Sequence, residues 1–499
     1  MNRCATILLA LVMVQPLFAQ LSGSNLAIYQ LGNQPDRLPA NRANLYDQLN
    51  LFYGSGDITL GVRAEIYNTD SRYEYNRISQ KYIAYNLGNL QLRLGNFYEI
   101  LGRGLLLRSY ELPGVVYEDT GTQQRYGFYK DVEGLSLRYE NDFIRAKALA
   151  GRPLDFSRPP IQGRSQRRRS FVQGGEVDFL LHDNFNPGLL YLRSDRDGRV
   201  NEYNGLNFDG YWGDIQYYAE YIQDGSNRDG AFQLGQNGAH AFYASFNVVY
   251  KRASLSFEYK DYNNFTLVFN DPPPLVREHT YTLLNRSTHS IEPNNENGYQ
   301  LEVLLDVGGD NSVTLNHSRA VNRLGNQRYT FFEYYADVNY YLGPDVITKV
   351  FADYSQDELV SQKNRYTAGA SAEWGFGSEW QFISEIQWQQ FQRDFIFNPA
   401  QNHSAENRYV NVSLNKGPIY SAGIILEYSN DPVETNQLAT NGISKFRNWP
   451  AFLATYQYDQ QNVFNLFVGK RRGGNACTGG ICYRVLDFEG VELSLTTRF

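Results

Sequence analysis

Six histidines, at 182, 240, 279, 289, 317 and 403, are the first residues whose spacing could carry chemistry. None falls at metal-ligand spacing and no nucleophile-elbow turn accompanies them, so neither metal-assisted hydrolysis nor acyl transfer has local support. His317, in Asn316-His317-Ser318, is the one a membrane lipase or protease could use, but on a strand it reads better as a packing or interface residue. Cys477 and Cys482 flank Thr-Gly-Gly-Ile in a predicted external loop. In an oxidising export compartment two such cysteines most simply form a disulfide, and without a neighbouring histidine they make an incomplete zinc site. Arg164, Arg167, Arg168 and Arg169, with Arg152 and Arg158 nearby, form a basic cluster in another external loop. Guanidiniums so grouped suit phosphate or carboxylate, including lipopolysaccharide headgroups or an anionic solute, but a solvated loop, or one pairing with acidic neighbours, explains them slightly better. No residue is assigned a catalytic, metal or cofactor role, an enzyme is not expected, and a net charge of −7 gives no reason to expect nucleic acid.

The elements that would position these residues read as strands. Of 499 residues, 39 are Tyr and 30 are Phe, a composition that fits a pleated, half-buried surface. Residues 1–19 look like a cleaved signal peptide: a cationic start at Arg3, a short apolar core from Ile7 to Val14, and Leu17-Phe18-Ala19 before Gln20. Residues 20–499 then form a single domain. From Leu45 onward about ten residues of alternating polarity recur, each run followed by a turn. Ile58, Leu60, Val62, Ala64 and Ile66 oppose Thr59, Arg63 and Glu65; Phe332, Tyr334, Ala336, Val338 and Tyr340 oppose Glu333, Tyr335, Asp337 and Asn339. Tight turns, as at Gly88-Asn89 and Gly343-Pro344, alternate with long loops near 99–133, 152–171, 223–237, 264–296, 430–448 and 473–485. Short turns on one rim and long loops on the other predict an all-β transmembrane antiparallel barrel of roughly 24 strands (22–26), with periplasmic turns and external loops. A mean hydropathy of −0.49 is no objection, because only alternate residues would face lipid. The predicted lumen face is charged with mixed sign, as at Arg63, Glu65, Arg138, Lys147, Glu220, Glu333 and Glu427.

The final strand alternates Val491, Leu493, Leu495 and Thr497 with Glu492, Ser494, Thr496 and Arg498, and it ends at Phe499. It resembles the signal read by the outer-membrane barrel assembly machinery, which makes Phe499 the expected assembly signal. Two further stretches are distinctive: GNFYEILGRGLLLRSYE from Gly95 to Glu111 and RRGGNACTGGICY from Arg471 to Tyr483. With the barrel pattern they resemble a family of uncharacterised Gram-negative outer-membrane proteins, a domain-of-unknown-function family. That resemblance implies location and fold and supplies no site residues. In the first stretch Leu105, Leu106 and Leu107 break the alternation between Arg103 and Arg108. Such a segment either folds into the lumen as a constriction, with the arginines meeting wall carboxylates, or continues the strand through a bulge. Only Gln20 to Asn44 precedes the regular strands, too little for an N-terminal plug domain. The expected function is a passive channel for small polar solutes. The alternatives are a closed barrel that docks partner proteins and, further off, a surface enzyme. Expected partners are outer-membrane lipid, lipopolysaccharide and the assembly machinery.

Overall fold

The computed structural model describes residues 20–33, 41–69, 73–154, 159–160, 166–167, 170–225, 238–274, 276–290, 295–377, 379–435 and 447–499. Within them 24 strands form one sheet in which each pairs antiparallel with its sequence neighbours, and the first strand, Gln20–Asn33, pairs with the last, Phe488–Arg498. The sheet is thereby a closed barrel, and closure leaves no unpaired edge to face lipid. Gln20–Asn33 is a wall strand and not a leader to the wall. Its polar start at Ser22, Ser24 and Asn25 blurred the alternation that marks the later strands.

Side-chain exposure follows the period-two reading. In the strand Ile58–Thr69, Ile58, Leu60, Val62 and Ile66 are exposed on the outer face, while Arg63, Glu65, Tyr67 and Thr69 are buried in the lumen. An apolar outside and a polar inside is the inversion that a lipid solvent demands. Most long connections lie on one rim, but that rim also carries tight turns at Asp197-Gly198 and Gly325-Asn326, so the hairpin Asn311–Leu324 with Gln327–Tyr341 stands tall. Among the described residues no helix is long and apolar enough to cross a membrane.

Burial also changes along the barrel axis. On the strand Val346–Asp357 the lumen-facing Phe351, Asp353, Ser355 and Asp357 are buried, whereas Lys349, nearer the short-turn rim, is 39% exposed. The long-loop half of the lumen is packed. The short-turn third is an open, charged vestibule.

Candidate functional site

Among the described residues, three long excursions of the chain fill most of the packed half, with Arg167, Asp431 and Thr435 of other connections buried beside them. Residues 98–131 fold inward as two hairpins, Ile100–Leu101 with Leu107–Arg108 and Tyr110–Glu118 with Arg125–Lys130. Residues 264–290 follow, with the short helix Thr282–Arg286, and then 472–487 with the hairpin Gly474–Thr478 and Ile481–Val485. Each leaves and rejoins the wall at paired rungs: Phe97 faces Val132, Asn263 faces Asn295, and Arg471 faces Phe488. The inserts are therefore additions to a complete wall, and none of them is a wall strand.

The largest apolar contact between insert and wall is made by the first insert. Leu101, Leu105, Leu106 and Leu107 are fully buried against the wall residues Leu149, Val172, Leu190, Leu192 and Ile222. Burying each leucine contributes about 2 kcal/mol. Around residues 264–290 and 472–487 smaller apolar contacts are joined by ion pairs in which wall carboxylates meet insert cations. Arg277 pairs with Glu302 and lies 3.5 Å from Asp337; His279 lies 3.1 Å from Glu333; Arg286 lies 3.0 Å from Glu427. His289 sits between Asp357 at 2.7 Å and Glu296 at 3.7 Å, and Lys260 pairs with the same Glu296. Burial works against the His289 imidazolium, but the two carboxylates outweigh it and push its pKa up to about 9. Arg125, on the 98–131 insert, reaches Glu492 on the closing strand at 3.2 Å, and Arg472 lies 3.8 Å from Glu427. Cations are turned inward because the wall presents buried carboxylates that would be costly to leave unpaired.

The inserts also hold one another. Asn270 Nδ2 donates to the carbonyls of Gly104 and Leu105, both at 2.8 Å, and its Oδ1 accepts from the Arg108 N–H at 2.6 Å. Asn285 and the Cys477 backbone exchange two hydrogen bonds of 2.8 Å. Gly480 N–H donates to Glu278 at 2.6 Å.

Not every residue singled out in the sequence lies where its pattern suggested. Arg103 and Arg108 line the insert, but among the described residues neither guanidinium makes an ion pair. The Arg103 backbone N–H, not its side chain, donates to Glu220 at 2.7 Å, and its guanidinium lies 4.8 Å from the centre of the Tyr218 ring. Arg108 Nη2 donates to the Gly479 carbonyl at 2.9 Å. Main-chain groups at Gly102 and Arg103 come closest to the wall because glycine lets the backbone approach. Of the basic external loop, Arg164, Arg168 and Arg169 lie outside the described residues. Arg167 is no external residue: it is buried, pairs with Asp131 and lies 3.2 Å from Glu133. A carboxylate buried at Asp131 draws it inward. Cys477 and Cys482 face each other across their hairpin and form the disulfide, and Cys477 is buried against Asn285 and not exposed in a free loop. Phe499 ends the closing seam, exchanging backbone hydrogen bonds of 2.7 and 3.0 Å with Gly23. Among the described residues no cluster of His, Cys, Asp and Glu could hold a metal ion. The inward path of 264–290 and 472–487 was missed. The available signal was an excess of carboxylates over cations on the predicted lumen face.

Below the first insert, a cavity of about 440 Å³ opens on the vestibule between Tyr98, Glu99 and Ser109 of the insert and Arg138, Glu140 and Arg145 of the wall. Arg138, Glu140 and Arg145 are each more than 40% exposed, so this end of the lumen is wet and carries both signs of charge.

Comparisons with known proteins bear on the fold. A chain of the E. coli P pilus tip assembly intermediate PapC-PapD-PapK-PapG is similar with TM-score 0.50 and 10% identity, over 95% of this chain and 60% of that one. The translocation pore of the P pilus usher PapC gives 0.48 and 10%, over 96% and 99%. Pseudomonas aeruginosa OccK5 gives 0.39 and 12%, over 71% and 96%. No curated protein matches the sequence. Residues 24–358 match a family of unknown function, DUF6029, and the chain belongs to that family, with the fold of an outer-membrane β-barrel.

Proposed function

We propose that the protein is a channel for small polar solutes that rests closed, its lumen filled by segments entering from the outer rim. The observation that carries this reading is the chemistry of the join between inserts and wall. Residues 264–290 and 472–487 meet the wall through a set of ion pairs and hydrogen bonds to single carboxylates, beside small apolar contacts such as Val276 on Phe331 and Leu284 on Phe351. Unlike a continuous apolar core, such contacts can be exchanged for water or a competing polar ligand one at a time, at a net cost of about 1.5–3 kcal/mol each. The leucine cluster would meanwhile keep residues 98–109 in place. The wet vestibule of mixed charge suits polar solutes without selecting one sign.

The docking alternative draws support from how fully the outer half of the lumen is packed. Single-channel recording in planar bilayers separates the two. Asn263 and Asn295 are already paired, so a short Gly-Ser turn can replace residues 264–294 without breaking the ladder. The intact protein is expected to give rare, small openings, and the replacement variant steady ohmic steps. A variant that folds, as judged by heat-dependent gel migration, yet stays silent would favour the docking barrel.

A further inference from the structure

We propose that the outer face of the tall hairpin binds one phosphorylated lipid of the outer leaflet, of the lipid A type, with its phosphates on Arg319, Arg323 and Arg328 and an acyl chain in the groove below them. Two independent observations meet here. The first is a groove of about 660 Å³ on the lipid-facing surface. Its floor is Ala336 and Ala352, paired side by side on neighbouring strands, and Val303 and Leu315 continue the same row. One rung higher, Leu301, His317, Tyr334, Tyr354 and Tyr366 form an unbroken row across five strands. His317 stacks on Tyr334 at 4.3 Å and Tyr354 on Tyr366 at 4.8 Å. Both His317 nitrogens are occupied, by the Tyr299 hydroxyl at 3.1 Å and the Glu333 carbonyl at 2.9 Å. The imidazole thus offers its ring face as an apolar wall, which is why it is tolerated there. Small residues beneath a bulky aromatic row make a trough of the kind a hydrocarbon chain fills.

The second observation is the charge above the trough. Arg319 lies on the outer face two residues beyond His317, and Arg323 directly faces Arg328 across the hairpin. All three are exposed, and among the described residues none has a carboxylate within ion-pair distance. Glu358, just past the end of the neighbouring strand, is already taken by the Thr330 N–H at 2.8 Å and Gln356 at 3.1 Å. Like charges directly opposite in a ladder are destabilising unless an anion lies between them. Their height also fits. From Tyr340 to Phe332 is eight residues, roughly 21 Å along the membrane normal at 3.4 Å per residue and a ~40° tilt. Arg319, paired with Phe332, therefore sits at the top of the apolar band, and Arg323 and Arg328 about 10 Å above it, in the layer of phosphorylated sugars.

The test is native mass spectrometry of the detergent-purified full chain incubated with hexa-acylated diphosphoryl lipid A. One bound lipid is expected on the intact protein. Occupancy should fall at least tenfold for the combined variant Arg319→Ala, Arg323→Ala, Arg328→Ala, and comparably for Ala336→Trp with Ala352→Leu, which fills the trough. Dephosphorylated lipid A should bind the intact protein as weakly as diphosphoryl lipid A binds the arginine variant. Variants that keep heat-dependent gel migration and full occupancy would overturn the site. So would inorganic pyrophosphate binding as tightly as the lipid, which would mean a free-phosphate site, or a lipid-free dimer abolished by the trough-filling pair.

Discussion

Gly102 shows how little clearance separates insert from wall. Its φ is +55°, its N–H donates to Glu176 at 3.0 Å, and a Cβ at this position would overlap the Glu220 carboxylate. Replacing Gly102 with alanine combines a left-handed penalty of about 1–2 kcal/mol with a clash against a side chain that already holds the Arg103 N–H. The expected result is a barrel that still resists SDS until heated but whose 98–131 insert is cut faster by protease in limited digestion. Unchanged cleavage would mean that Glu220 yields freely. At this scale the sequence was only partly legible. The three leucines between two arginines mark a segment that is neither exposed loop nor wall, because their apolar run breaks the alternation. What the arginines touch was not legible, since glycine places the main chain, not the guanidinium, against the carboxylates. Arg167 went astray for a different reason: its partner, Asp131, lies 36 residues away in sequence.

Among the elements, the 264–290 insert carries a pH dependence with a definite sign. His289 is fully buried between Asp357 and Glu296, against the Phe331 ring, with Lys260 on the far side of Glu296. Its folded pKa of about 9 lies above the ordinary 6.5, so its contribution is complete below pH 6.5 and is lost as pH rises through 9. That contribution amounts to at most about 3 kcal/mol at 1.36 kcal/mol per unit. Hydrogen exchange in residues 276–290, corrected for intrinsic rates, is expected to accelerate between pH 7 and 9.5, and His289→Asn to flatten the dependence. A profile identical in the variant would assign the effect elsewhere. The wall strands were legible because a period of two survives in each strand by itself. The direction a loop takes was not, because it depends on charges from several strands that meet only after the barrel closes.

For the whole molecule, closure depends on the seam between the first and last strands. Gly23 and Phe499 exchange two backbone hydrogen bonds, and the Phe499 ring lies where a Gly23 side chain would be. Deleting Phe499 is expected to lower the yield of assembled protein in outer membranes, while the chain refolded in detergent keeps its heat-dependent migration, since the remaining rungs of the seam persist. Normal assembly in cells would remove Phe499 from any role in delivery. The strand number was readable from chain length and turn spacing because barrels repeat one unit. The packed outer lumen was not, because a filled and an empty barrel share the same wall pattern. That filling has a mechanical consequence. All three inserts are tethered at both ends to the long-loop rim. A pull from the short-turn side would load the flanking wall strands before it moved an insert, so traction from the periplasm is the wrong way to open this lumen. Outward displacement of residues 264–290 and 472–487 has only their side-chain contacts and hydrogen bonds to overcome. For the closed channel proposed above, what unlocks it should therefore act from the cell exterior, lifting residues 264–290 and 472–487 like hinged flaps while the leucine cluster holds 98–109. An opened state would let an impermeant label reach Cys477 or Cys482 after mild reduction.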